Sequence, residues 1–139
     1  MKVIVDTCIW SVAFRKPINK ENKSIIEELT ELIKEGRVVM LGLIRQELLS
    51  GVKSEKDFIK LRDNLRGFDD YAMTKEDYEL AAELYNKCRR KGIQGSNTDF
   101  LICSVAIRNG FSIFTVDNDF KIFSKYIKIK LHKERPHSG

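Results

Sequence analysis

The chain has 139 residues, 42% of them hydrophobic, and its 25 basic and 20 acidic residues give a net charge of +5. That length suits one domain with one continuous core, and no segment approaches the ~18 apolar residues that a membrane-spanning helix needs. The amino terminus passes from Met1 directly into a strand pattern without the features of a signal peptide, so we expect a cytoplasmic protein with no membrane partner.

Three short apolar runs predict buried strands, at residues 2–6, 38–41 and 112–116. Runs with helical spacing lie between them, and residues 56–65 form a highly charged helical run that we expect on the outside. The order is strand, helix, helix, strand, helix, helix, weak strand, helix, helix, strand, short helix and strand. This alternation predicts parallel strands joined by helical crossovers, in a three-layer α/β sandwich.

One helix is predicted in more detail, over residues 74–91. Thr74 and Asp77 have the spacing of a capping box at its start, and Gly92 marks its end. One side of this helix is expected to pack in the core: Tyr78, Ala81, Ala82, Tyr85 and Cys88.

The three cysteines do not form a recognisable framework. Cys8, Cys88 and Cys103 are odd in number, none belongs to a CxxC pair, and no histidine stands at zinc-finger spacing from them. They are therefore interpreted as reduced structural thiols, because free cysteine is among the most buried residue types.

Acidic residues occupy matching positions in the predicted topology. Asp6 and Asp117 end strands, Glu47 and Asp99 lie in the first turns of helices, and Asp119 is a possible fifth member. Ligands of open α/β sheets bind beyond the carboxyl ends of the strands, where strand order reverses. Acids gathered there repel one another unless a divalent cation holds them, which predicts a magnesium or manganese site and hydrolysis of a phosphodiester. For Asp99 alone, helix capping is an alternative, worth roughly 0.3–1 kcal/mol.

Positive charge gathers in two segments. The segment from residue 120 onward contains six basic residues and only one acidic residue, Glu134. A second basic cluster precedes the Asp99 segment. That cluster consists of Lys87, Arg89, Arg90 and Lys91. A basic rim around an acidic pocket suits a polyanion such as nucleic acid. The alternative is that both clusters are solvated faces.

Four segments carry a resemblance to a known family: VIVDTCIW, LIRQELLSG, GSNTDFLICSVAIRNG and IFTVDNDF, in this order. Together they resemble the PIN domain, and within it the VapC-like toxins of type II toxin–antitoxin pairs, over about residues 2–131. The resemblance implies a PIN-like α/β/α sandwich with a central parallel sheet of four or five strands. We assign residues 1–132 to this nuclease domain and residues 133–139 to a basic, flexible tail.

The implied activity is metal-dependent endoribonuclease cleavage of RNA. The acidic quartet of the family corresponds to Asp6, Glu47, Asp99 and Asp117. In the mechanism that we expect, Asp6 and Asp117 hold a Mg²⁺ or Mn²⁺ ion, Asp99 binds it or a second ion, and Glu47 is an outer ligand or general base. Asp119 assists at the metal. The usual small polar positions of the family correspond to Thr7, Ser96, Asn97 and Thr115.

The resemblance also implies partners: an RNA substrate, a second copy in a homodimer, and a small cognate antitoxin that inserts a peptide into the acidic cleft. Two segments depart from a plain toxin core, the charged helical stretch at residues 53–66 and the tail at 133–139. They leave the RNA target and the partner contacts open.

Two other functions compete with this interpretation. A degenerate PIN-type module could bind RNA or protein without cutting, although a complete acidic set would not help a binder of polyanions. A phosphatase of the haloacid dehalogenase type also has an Asp at the end of its first strand. That family needs a second Asp two residues later, where this chain has Cys8.

Overall fold

The computed structural model describes residues 1–14 and 19–137. Its parallel sheet has the order β2-β1-β3, with β1 at Val3–Val5, β2 at Val38–Val39 and β3 at Ser112–Phe114. All three residues of β1 are fully buried. Because successive side chains of a strand point to opposite faces, both faces of the sheet must be covered, as a three-layer sandwich requires.

The sheet extends on both sides through single bridges. Met40 pairs with Asp70 beyond β2, and Ile113 pairs with Leu131 beyond β3, both in the parallel sense. These two segments lie where the weak strand and the last strand were expected. The described residues therefore contain three strands rather than four or five, because each outer segment pairs over one residue only.

Seven helices flank the sheet in the described part of the chain, and their order confirms the predicted alternation. They are α1 Thr7–Phe14, α2 Lys23–Lys34, α3 Gly42–Leu49, α4 Glu55–Leu65, α5 Lys75–Arg90, α6 Asn97–Asn109 and α7 Asn118–Phe123, with a short 3₁₀ turn at Lys20–Asn22. None of these helices is long and apolar enough to span a membrane.

Helices α5 and α6 form an antiparallel pair. The predicted capping box of Thr74 and Asp77 starts α5. Buried Asp77 forms an ion pair with Arg108 near the end of α6, in which Nη1 of Arg108 lies 2.6 Å from Oδ1 of Asp77. The end of α5 therefore lies beside the start of α6. The prediction of which α5 residues are buried is only partly correct, since Tyr78 is 53% exposed and Ala82 is also exposed.

The end of the chain packs against α2 through Glu28, which is fully buried. Its carboxylate accepts hydrogen bonds from His132 Nε2 at 2.6 Å and from His137 Nε2 at 2.8 Å. Arg135 Nε donates to the same carboxylate at 3.0 Å, and its two terminal nitrogens bind Glu35 at 2.9 Å each. Burial alone would raise the pKa of Glu28, but the hydrogen bonds from Arg135 and both histidines lower it to about 2.

These contacts bear on the tail that we assigned to residues 133–139. Arg135 and His137 are held against α2 by hydrogen bonds rather than extending away from the domain. The division of the chain after residue 132 stays a prediction.

Candidate active site

The acidic residues approach one another at the carboxyl edge of the sheet. Strand β1 lies between β2 and β3, so the strand order reverses at its end. Asp6 follows β1 directly, and the segment of Thr115 and Asp117 follows β3. The site thus occupies the position where ligands of open α/β sheets bind.

Asp6 is held by three neighbours at the start of α1. Its Oδ1 atom accepts a hydrogen bond from the backbone N–H of Thr7 at 2.8 Å. Its Oδ2 atom accepts from the hydroxyl of Thr115 at 2.8 Å and from the thiol of Cys8 at 3.4 Å. With only 8% of its surface exposed, this carboxylate is fixed in position. A carboxylate oxygen has two lone pairs, so Oδ1, which accepts one hydrogen bond, keeps a lone pair that can bind a cation.

Glu47 is joined to Asp6 through Thr7. The Thr7 hydroxyl donates to Glu47 Oε1 at 2.9 Å, while the Thr7 backbone N–H binds Asp6. Both Thr7 and Glu47 line an open cleft of about 520 Å³, to which Gln46, Ser50 and Thr98 also contribute. Glu47 is therefore exposed to a space that a substrate can enter, and Thr98, which also lines this cleft, precedes Asp99 in the sequence.

Asp117 is joined to Asp6 through Thr115. The Thr115 hydroxyl donates to Asp6 and accepts the backbone N–H of Asp117 at 3.0 Å. The Asp117 carboxylate caps α7, where its Oδ1 atom accepts the backbone N–H of Asp119 at 2.9 Å. A chain of hydrogen bonds thus runs from Glu47 across the centre of the sheet to Asp117.

Asp99 caps the start of α6 and also lies close enough to Asp6 and Asp117 for their charges to affect its pKa. It forms a capping box with Ser96: the Ser96 N–H donates to Asp99 Oδ2 at 3.2 Å, and the Asp99 N–H donates to Ser96 Oγ at 3.1 Å. The pKa of Asp99 is raised, first by burial and then by the charges of Asp117 and Asp6, although the Ser96 hydrogen bonds oppose the rise. The structure thus shows the capping role of Asp99, while its role as a metal ligand stays a prediction.

Gly95 fixes the start of α6 against α7. A Cβ atom at this position would lie 2.6 Å from the ring of Phe123 and 2.8 Å from the ring of Phe100, both of them buried. Such distances are too short for any side chain. The close approach keeps the element that carries Asp99 next to the element that carries Asp117.

Comparison with known proteins identifies the family of the chain. The model of the PIN domain family matches residues 3–126. The chain belongs to the PIN domain family. Ribonuclease VapC11 of Mycobacterium tuberculosis and VapC ribonuclease Mb1587 of Mycobacterium bovis are each 27% identical to it over 130 residues, covering 92% of this chain and 96% of the relative.

Solved structures show the same PIN fold. VapBC2 from Rickettsia felis, bound to a DNA fragment from its promoter, superposes with a TM-score of 0.75 at 24% identity, over 95% of this chain and 98% of that one. FitAcB from Neisseria gonorrhoeae gives a TM-score of 0.73 at 15% identity, over 95% and 97% of the two chains. These likenesses concern the fold.

The acidic residues of the site, Asp6, Glu47, Asp99 and Asp117, have the oxygen donors that a hard divalent cation prefers. Their side chains are not arranged around a common position for such an ion. All are carboxylates, the donors that Mg²⁺ and Mn²⁺ prefer, and Asp6 and Asp117 lie near enough to raise the pKa of Asp99. Within residues 1–14 and 19–137, however, no group of three or more His, Cys, Asp or Glu side chains is placed to hold a metal ion. Hydrogen bonds to hydroxyl and amide groups hold the carboxylates instead.

The supporting residues named from the sequence have different positions. Thr7, Ser96 and Thr115 each hydrogen-bond to an acid of the site. Asn97 is exposed in the first turn of α6, and the described hydrogen bonds do not link its side chain to any of these acids.

Cys8 contacts residues of the acidic site, whereas it was predicted to be a structural thiol only. Its Sγ atom lies 3.4 Å from Asp6 Oδ2 and 3.5 Å from Thr115 Oγ1. Burial raises the pKa of this thiol, so it stays protonated and acts as a hydrogen-bond donor at neutral pH. The spacing of two residues from Asp6 was the only available signal for this contact.

The predicted basic cluster lies at the same end of the molecule as the acids. Its four members are exposed at the end of α5: Lys87, Arg89, Arg90 and Lys91. The guanidinium of Arg89 lies 5.6 Å from the ring centre of Tyr85, and the ring of Tyr85 contacts Phe100. Because α5 ends beside the start of α6, these cations flank the segment that carries Asp99.

Proposed function

We propose that this PIN domain is a metal-dependent endoribonuclease and the toxin of a VapBC-like pair. One observation carries the proposal: the hydrogen-bonded chain from Glu47 through Thr7, Asp6 and Thr115 to Asp117, with Asp99 in electrostatic contact. Two relatives that align with 92% of this chain are named ribonucleases.

The residues have distinct roles in this proposal. Asp6, Asp99 and Asp117 hold Mg²⁺ or Mn²⁺, and Asp119 completes the set from the first turn of α7. A divalent ion held there would supply positive charge to the scissile phosphate and would lower the pKa of a water molecule. Holding it requires the side chains to turn from their present partners, and Asp99 in particular from the amide of Ser96.

Glu47 is the proposed general base. The Thr7 hydroxyl donates a hydrogen bond to Glu47 Oε1 at 2.9 Å. The other oxygen, Oε2, can accept the proton of the attacking water. Thr7 also binds Asp6 through its backbone, so it sets the position of the base relative to the metal ligands. Attack by water with departure of the 3′ oxygen leaves a 5′ phosphate and a 3′ hydroxyl, the outcome that the family resemblance implies. Products ending in a 2′,3′-cyclic phosphate would contradict this route.

The cluster of Lys87, Arg89, Arg90 and Lys91 is proposed to bind the RNA backbone. Its members are exposed at the end of α5. Cations at this position attract phosphates toward acids that would otherwise repel them.

The proposed partners follow the relatives. Structural neighbours include VapBC2 and a toxin–antitoxin complex from Klebsiella pneumoniae, and we propose that this chain likewise binds a cognate antitoxin that enters the acidic cleft. A homodimer is proposed as its free state, to be measured by light scattering during size-exclusion chromatography. The cytoplasmic location stays a prediction.

A binding module without catalysis is the second candidate. The observation in its favour is that no metal-holding group is preformed among the described side chains. The phosphatase alternative has no such support, because Cys8 donates a hydrogen bond to Asp6 where that family needs a second acid.

Digestion of total RNA separates these candidates. The unmodified protein is incubated with Mg²⁺, with Mn²⁺ or with EDTA, beside the variants Asp6→Asn and Asp99→Asn and the matched control Asp63→Asn, which removes an exposed acid on α4. Cleavage by the parent and the control, only with metal, supports the nuclease. Binding of RNA without cleavage under any condition would leave the binding module. Retained cleavage in both site variants would refute the site assignment.

A further inference from the structure

One face of α3 lines the open cleft beside the acids. Leu43, Gln46, Glu47 and Ser50 have the spacing i, i+3, i+4 and i+7, which places their side chains on the same side of the helix. All four line the cleft of about 520 Å³. Gln46 therefore faces the same space as the proposed general base, Glu47, from which it is one residue away.

The other sides of α3 are anchored in the domain. Ile44 and Leu48 are buried, with 0% and 8% of their surfaces exposed. The guanidinium of Arg45 donates hydrogen bonds to the carbonyls of Leu65 at 3.0 Å and Phe68 at 2.6 Å. The face of α3 that lines the cleft therefore has a fixed orientation.

The amide group of Gln46 is available to a ligand. In the part of the chain that the structure describes, the side-chain hydrogen bonds of α3 belong to Arg45 and Glu47. Gln46 is exposed, and its amide offers an oxygen that accepts and a nitrogen that donates hydrogen bonds. A molecule that enters the cleft can use both atoms.

The lining of the cleft is mostly uncharged. Apart from Glu47, the described residues around it are neutral: Thr7, Leu43, Gln46, Ser50 and Thr98. Positively charged side chains bind the phosphates of a nucleic acid, whereas hydrogen bonds to the edges of the bases distinguish one sequence from another. A neutral wall with an available amide suits a base better than a phosphate.

The amide of glutamine matches one base edge in particular. Adenine presents a donor at N6 beside an acceptor at N7, whereas guanine presents two acceptors, O6 and N7, on the same edge. Unpaired RNA exposes these edges to a protein. We infer that Gln46 reads an adenine next to the cleaved bond, through both atoms of its amide. The inference rests on the proposed nuclease function and adds the residue that determines the base preference.

Sequencing of the cleavage products tests the inference. An unpaired RNA library with random bases is digested with Mg²⁺ or Mn²⁺, and the ends of the products give the base frequencies at each position around the cleaved bond. The unmodified protein is compared with Gln46→Leu, which removes the amide, and with Gln46→Glu, which keeps only acceptors. Thermal unfolding shows that the variants are folded.

The matched control is Gln94→Leu. Gln94 is the other glutamine of the chain. It is exposed, and it is not among the described residues that line the cleft. The control makes the same chemical change as Gln46→Leu, so only the position of the lost amide differs.

The unmodified protein and the control should prefer adenine over guanine about tenfold at one position next to the cleaved bond. Gln46→Leu should bring this ratio close to one, and Gln46→Glu should shift the preference towards cytosine, whose N4 group donates. An unchanged ratio in Gln46→Leu, or a loss of cleavage that is equal for all four bases, would overturn the inference.

A binding selection decides the same question without cleavage. The Asp6→Asn protein is kept in EDTA with a random RNA library of about eight nucleotides, and the retained RNA is sequenced. Adenine should be enriched over guanine, and Asp6→Asn/Gln46→Leu should lose the enrichment. If the unmodified protein cleaves nothing but this enrichment depends on Gln46, only the nuclease function is refuted. Equal retention of both purines would refute the reading of adenine by Gln46.

Discussion

Glu28 offers a sharp test of the forces that hold the end of the chain in place. We consider the variant Glu28→Gln, which keeps the size of the side chain and removes its charge. The pKa of Glu28 is lowered from 4.5 to about 2 in the folded protein. At about 1.4 kcal/mol for each pKa unit, this difference corresponds to about 3 kcal/mol of folding free energy at neutral pH.

The sign determines the pH window. An acid with a lowered folded-state pKa stabilises the protein above its unfolded pKa, and this stabilisation is lost as pH falls through the folded pKa. The contribution of Glu28 should therefore be complete above about pH 4.5 and should disappear towards pH 2. Urea denaturation of the unmodified protein and of Glu28→Gln, between pH 7 and pH 2, measures the difference in unfolding free energy.

The expected difference is about 3 kcal/mol at pH 7 and approaches zero near pH 2. Arg135→Gln should reproduce part of the loss, because Arg135 donates to both oxygens of Glu28. Arg62→Gln is the control, since it removes an arginine from an exposed pair with Asp63 and should change stability by at most about 1 kcal/mol. A difference between Glu28→Gln and the parent that stays constant with pH would refute the reasoning.

Three further changes test the site. Gly95→Ala should lower the free energy of unfolding by about 1–3 kcal/mol, because the added methyl overlaps the ring of Phe123; an unchanged denaturation midpoint would contradict the close packing. Thr7→Val should slow RNA cleavage by at least about tenfold with little loss of stability, since Glu47 loses its hydrogen-bond donor; unaltered single-turnover rates would exclude Thr7 from positioning the base. Asp99→Asn should raise the melting temperature at pH 7 in EDTA and, in a separate assay with Mg²⁺ or Mn²⁺, should abolish cleavage. The raised pKa of Asp99 means that its charged form costs stability once pH exceeds that pKa, so a lowered melting temperature would be the wrong outcome.

Local signals in the sequence were sufficient for the fold. The order of helices and strands, the capping box at Thr74 and the end of α5 at Gly92 are all confirmed. These features depend on neighbouring residues only, because apolar periodicity and caps are properties of a short segment. The same reasoning predicted where the acids would lie, since parallel strands bring their carboxyl ends to one edge.

Local periodicity was less reliable at the surface of a helix. Tyr78 has the spacing of an inner-face residue of α5 but is 53% exposed. The spacing determines an angle around the helix axis, whereas the width of the buried stripe depends on the element that packs against it. Here that element is α6, and its contact with α5 leaves Tyr78 outside.

The sequence by itself therefore determined the order of the elements and the positions of Asp6 and Asp117 just after two neighbouring strands. Only the tertiary structure showed that Thr7 joins Asp6 to Glu47, 40 residues away, and that Thr115 binds Asp6 from 109 residues away. It also placed Arg135 on buried Glu28, 107 residues earlier in the chain. Such contacts require two distant segments to be brought together by the packing of the whole core, and no pattern within either segment specifies the partner.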